Sequence, residues 1–151
     1  MVLTDRQIDY LEARLISLDN KFFINEGGCC YVAYLIATHL ERLSVPYKLI
    51  MFDDDNPIKY SVSEFRDNVR NNKEGKCLGK QATSHYAIYL PQNKRVLNSA
   101  EWDFTYYHFT VGKITSKDIL KIYTHARWNK VYSKQCNSQV RNFINEFFEN
   151  I

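Results

Sequence analysis

A chain of 151 residues has the length of one compact domain, and a core of that size forms without disulfide or metal staples. Apolar residues make up 45% and charged residues 25%, a globular balance. The net charge of +3 comes from basic residues scattered among acidic ones, so a nucleic-acid-binding face is not indicated.

Charges recur every few positions from Met1 to Leu15, so the apolar run of a signal peptide is missing there. No stretch approaches the roughly 20 apolar residues of a membrane span. The expectation is a cytoplasmic protein with no membrane partner. Tyr, Phe, Ile, Lys and Asn are abundant, and their AT-rich codons suggest a low-GC bacterium or one of its phages; a phage-encoded chain would allow a virion location. In a reducing compartment Cys29, Cys30, Cys77 and Cys136 are not expected to form a disulfide framework. The absence of a CxxC pair argues against structural zinc, so neither metal nor cofactor is expected.

Thr4 is placed to cap a first helix carrying Ile8, Leu11, Leu15 and Leu18 at helical spacing. Phe22 to Ile24 leads into the turn Asn25-Glu26-Gly27-Gly28. A second helix is expected from Cys29 to Leu43, stopped by Pro46, and a strand from Tyr47 to Phe52. Asp53 to Pro57 reads as a solvated polar turn without calcium-loop spacing. Ser63 to Val69 suggests a short helix and Asn71 to Ala82 a polar loop. The clearest hairpin runs from Ser84 to Leu90, turns over Pro91 to Lys94, and returns from Arg95 to Ser99. Trp102 to Val111 suggests a further strand or two. Thr115 to Asp118 resembles a capping box before a helix with Ile119, Leu120 and Tyr123, and a last helix is expected over Ser138 to Phe148. Without repeats or linkers, residues 1–151 read as a single domain.

The segment Gly27-Gly28-Cys29-Cys30 opening a helix carries chemical meaning. Glycines permit a sharp turn and close approach of a substrate. The exposed N–H groups and positive end of a helix favour a thiolate and can bind a developing oxyanion. Cys29 shares an apolar stripe with Ala33, Ile36, Leu40 and Leu43, whereas Cys30 shares a face with Tyr34, Ala37 and Glu41 that drifts towards polar. Cys29 is therefore the favoured nucleophile. Both cysteines also read as small core hydrophobes, and on this segment alone that reading prevails.

From Gly27 to Lys48 the chain resembles the central segment of transglutaminase-like proteins, within the papain-like cysteine peptidase superfamily. Glycine stands two before the cysteine and alanine four after it. A leucine-bearing helix closes with Ser44-Val45-Pro46-Tyr47-Lys48, gapless over 22 residues. Ser44 stands where the family commonly has glycine, and Cys30 where an aromatic is frequent. The resemblance implies a histidine opening a strand and a hairpin that returns an Asp or Asn. His85 and Asn98 occupy those places, and a symmetric turn sets Ala87 opposite Asn98 with His85 diagonal to it.

The implied site is a Cys29–His85–Asn98 triad, with Glu101 or Asp103 as other candidates for the third member. Asn25, Gly28, Cys30 and Trp102 are the candidates for oxyanion or substrate contact, and an ordinary turn or core role stands beside each. His39, His108 and His125 read as satisfied residues. The expected fold is α+β and papain-like: a cysteine-bearing helix on a short antiparallel sheet, flanked by N- and C-terminal helices. The expected activity is that of a cysteine-dependent hydrolase or acyltransferase on a peptide or isopeptide amide through a thioester. Its partner would be a peptide or protein substrate. The rival expectation is a non-catalytic module of the same fold, a binding domain or a component of a larger assembly such as a phage particle.

Overall fold

Helix α1 spans Asp5–Phe22. Its start is fixed by a reciprocal box: the Gln7 N–H donates to Thr4 Oγ1 at 3.1 Å and the Thr4 N–H to Gln7 Oε1 at 2.8 Å. Ile8, Leu11 and Leu15 form the face that is fully buried. The structure is a computed structural model, and the residues it describes are 1–22, 24, 28–52, 85–99, 108–110, 114–125 and 134–151.

Helix α2 covers Cys29–Arg42 and is the centre of the molecule, buried on nearly every side. One side lies on the sheet, and Ser116–His125 (α3) and Lys134–Glu149 (α4) pack against it as well. Its end is set before Pro46 is reached. Ser44 takes φ 55°, its N–H donates to the Glu41 carbonyl at 3.1 Å, and the Val45 N–H donates to the Leu40 carbonyl at 2.9 Å. This is a Schellman closure, the geometry that favours glycine at the left-handed position.

Four antiparallel strands make the sheet: β1 (Lys48–Phe52), β2 (His85–Leu90), β3 (Arg95–Leu97) and β4 (His108–Thr110), in the order β3-β2-β1-β4. The hairpin register is Ile88↔Leu97, Tyr89↔Val96 and Leu90↔Arg95, closed by a turn with Lys94 at φ 53°. Tyr86, Ile88 and Leu90 join the main core with α2, while Ala87 and Tyr89 lie with Ile50 and Val96 on the other face. The fold is thus α+β, helices on a small antiparallel sheet.

Polar contacts tie the layers together. Arg95 Nη2 reaches Asp9 Oδ1 at 2.7 Å and Glu12 Oε1 at 2.9 Å, clamping the hairpin to α1. At the opposite end Glu41 accepts from the Ser116 N–H at 2.7 Å, the Ser116 hydroxyl at 2.8 Å and the Tyr47 hydroxyl at 2.6 Å, so an α2 side chain caps α3. Thr115 and Asp118 complete that cap as the expected box, at 3.0 and 3.3 Å.

Some boundaries differ from those expected. The first strand begins at Lys48 rather than Tyr47, and β3 ends at Leu97 rather than Ser99. Helix α4 starts at Lys134, ahead of Ser138, where polar residues conceal the start of the amphipathic pattern. Of Trp102 to Val111, only His108–Thr110 is described, as β4. The proposed elements at Asp53 to Pro57, Ser63 to Val69 and Asn71 to Ala82 lie outside the described residues. Among the described residues, no helix is long and apolar enough to cross a membrane.

Candidate active site

The register carried one pair beyond Ile88↔Leu97 sets Ala87 opposite Asn98, with His85 as the diagonal neighbour on the same face. The side chains meet there: His85 Nε2 lies 2.6 Å from Asn98 Oδ1. An amide oxygen only accepts, so the ring donates from Nε2 and its lone pair resides on Nδ1. The imidazole is 3% exposed. Burial drives its pKa down from 6.5 to about 4, against the Asn98 hydrogen bond and the Asp19 carboxylate, which both favour the charged ring.

Cys29 approaches the same strand from the α2 side. The backbone N–H of Tyr86 is directed at its sulfur, as are the N–H groups of Cys30 and Cys29 itself. The Tyr86 nitrogen belongs to the peptide bond that follows His85, so the sulfur and the imidazole flank the first peptide of β2. Both groups also feel Asp19, on the last turns of α1. The structure therefore joins His85 and Asn98 on the face of the sheet that carries Ala87, and sets Cys29 against the first peptide of β2 from the α2 side.

The electrostatics differ from the expectation of an activated thiolate. Cys29 is 5% exposed, and its thiol is pushed up from 9.0 to about 11. Burial is the largest cause and outweighs the three N–H groups that favour the anion. The start of a helix lowers a thiol only where water or a charge partner shares the load. Gly28, the N-cap of α2, has φ −110° and ψ −7°, ordinary values for any residue, so the freedom of glycine is not used at that position.

Cys30 takes a different course from the one its helix face implied. Its side chain is fully buried and directed at α3, with Sγ 3.6 Å from the Ile119 carbonyl. Ala37 on the same face is also fully buried. Cys30 thus offers the site its backbone N–H rather than its side chain. Asn25, Glu101, Trp102 and Asp103 lie outside the described residues.

Compared with protein-family models, with curated proteins and with solved structures, the chain finds no match. Among the described residues, no cluster of three or more His, Cys, Asp or Glu side chains is placed to hold a metal ion.

Sequence reasoning missed three participants: the Tyr86 N–H, the Asp19 carboxylate, and Ser99, a buried hydroxyl that lines a small cavity together with Cys29. Ser99 was legible as the residue whose side chain alternates with Asn98. Asp19 had only its place one turn after Leu15, which lines the same cavity.

Proposed function

We propose that this chain is a cysteine-dependent hydrolase or acyltransferase of the papain-like, transglutaminase-like kind, acting on a peptide or isopeptide amide. Cys29 is the nucleophile, His85 the base and Asn98 the residue that orients the ring. The observation that supports this most is the 2.6 Å contact of His85 Nε2 with Asn98, on the strand whose next peptide N–H meets the sulfur of a cysteine at a helix start.

In this reading Nδ1 takes the thiol proton as sulfur attacks the carbonyl carbon. The S–C bond forms, and the amine leaves with the proton that His85 returns. Water deprotonated by the same ring then cleaves the thioester to the acid, or a second amine takes the acyl group. Backbone N–H groups of Cys29, Cys30 and Tyr86 are the nearest donors for the developing oxyanion. Burial pushes the thiol up and the imidazole down, so both groups favour the neutral resting state over an ion pair.

The closed, neutral state of the pair also favours a second reading, a non-catalytic binding or assembly module of the same fold. Iodoacetamide labelling, followed by mass spectrometry at each cysteine across a urea series, separates the two. Catalysis requires Cys29 to react under native conditions, independently of urea below the unfolding transition, and more slowly in His85→Gln. Labelling that appears only as the chain unfolds, at rates that follow stability alone, refutes the enzyme and leaves the module.

A further inference from the structure

Beside the Cys29 sulfur the core is incompletely filled. A small cavity is lined by Cys29, Val32 and Ile36 of α2, with Leu15, Leu97 and Ser99 among the residues of its remaining wall. It leaves about 10 Å³ for the centre of a water-sized sphere, the room that one water or one methyl group occupies. Its side-chain wall holds no charge, and Ser99 is its one hydroxyl apart from any on Tyr86. Leu15, Val32, Ile36, Leu97 and Ser99 are all 0–4% exposed, so widening the space means moving close-packed core side chains.

A carbonyl carbon bonded to the Cys29 sulfur carries its substituents within two bonds of a side chain that lines this cavity. We infer that the cavity selects the acyl group: the residue whose carbonyl Cys29 attacks is glycine or alanine, with a side chain no larger than a methyl group. This rests on Cys29 being the nucleophile. A leucine-sized or charged side chain would have to displace the aliphatic wall or lose its hydration without a partner, and both oppose acylation.

The 4-nitrophenyl esters of N-acetylglycine, N-acetylalanine and N-acetylleucine test the inference. In each, the thiol proton passes to His85, the S–C bond forms, and the ester C–O bond breaks to release 4-nitrophenolate. Acylation of Cys29 is located by mass, with Cys29→Ala as control, and each rate is divided by that ester's rate with free N-acetylcysteine. The glycine and alanine esters are expected to react at least about tenfold faster than the leucine ester, the scale of discrimination a small apolar pocket provides. Ile36→Ala, which shortens the wall, should narrow that gap, and the milder Ile36→Val should do so in part. Equal normalised rates in the wild type, or a gap unmoved in both folded variants, overturn the inference. If iodoacetamide labels Cys29 but the esters show no size preference, only the cavity's role falls. If neither reagent modifies Cys29 in the native state, the nucleophile falls and selectivity with it.

Discussion

Lowering the pH should unfold this protein through His85 before its carboxylates titrate fully. The ring is 3% exposed, and its pKa falls from the ordinary 6.5 to about 4 in the folded chain. Between those values the unfolded chain takes up a proton that the folded chain refuses. The associated stability is complete above about 6.5 and is lost as the pH falls towards 4. The loss amounts to about 1.5 kcal/mol at pH 5.5 and about 2.5 kcal/mol at pH 4.5. Urea unfolding followed by far-UV circular dichroism at pH 7.5, 6.5, 5.5 and 4.5 measures it, in the wild type and in His85→Gln. Carboxylates titrate in both proteins, so the difference between the two pH profiles isolates the imidazole. Parallel profiles would refute the reasoning: the ring would then titrate near its ordinary value, hydrated, and the neutral resting pair would not exist.

Other expectations follow from the same contacts. Cys29→Ala should abolish acyl transfer, while Cys30→Ala should retain it and lose about 1 kcal/mol in a urea titration for the fully buried sulfur packed on Ile119; loss of turnover only in the second variant would reassign the nucleophile. Ser44→Gly should stabilise by roughly 0.5–1 kcal/mol, read as a higher urea midpoint, by relieving the φ of 55°. Arg95→Ala should destabilise by about 1–2 kcal/mol, because the guanidinium bridges Asp9 and Glu12 and joins the hairpin to α1. Asn98→Ala should cost about 1–3 kcal/mol of stability and lower kcat, since a buried Nε2–H loses its acceptor and the ring is free to turn. Asn98→Asp should be milder, as a carboxylate holds the same ring and favours its charged form; full kcat in Asn98→Ala would move the third member to Glu101 or Asp103.

What the sequence disclosed was local. Thr4 and Thr115 announced their helices because a cap and its partner three residues on lie within one turn. The His85–Asn98 register was legible because the hairpin turn is short and symmetric, so counting back from Pro91 to Lys94 gives the pairing directly. The state of Cys29 was not legible. A helix start promises stabilisation of a thiolate, yet the outcome depends on how much protein covers the sulfur, and α1, β2 and the end of β3 supply that cover from distant parts of the chain. The face of Cys30 was misjudged for the same reason: Ile119 lies 89 positions away and nothing local points to it.

A second imidazole–amide pair shows what makes His85 a candidate at all. His39 Nε2 lies 2.7 Å from Asn145 Oδ1, nearly the same contact as His85 with Asn98. Its other nitrogen, Nδ1, accepts from the Arg42 guanidinium at 3.4 Å, and the ring stacks on Phe148 at 4.8 Å. The lone pair of His39 is thus already engaged, and the ring serves to fasten α4 to α2. A histidine held by an asparagine thus occurs twice in this chain, and it carries no chemistry by itself. At His85 the strand has a further neighbour on its α2 side: a helix-start cysteine whose sulfur meets the next peptide N–H and which lines a methyl-sized cavity. Changing that neighbour should silence the site without loosening the His85–Asn98 contact, whereas changing Asn145 should loosen α4 and leave the reactivity of Cys29 as it was.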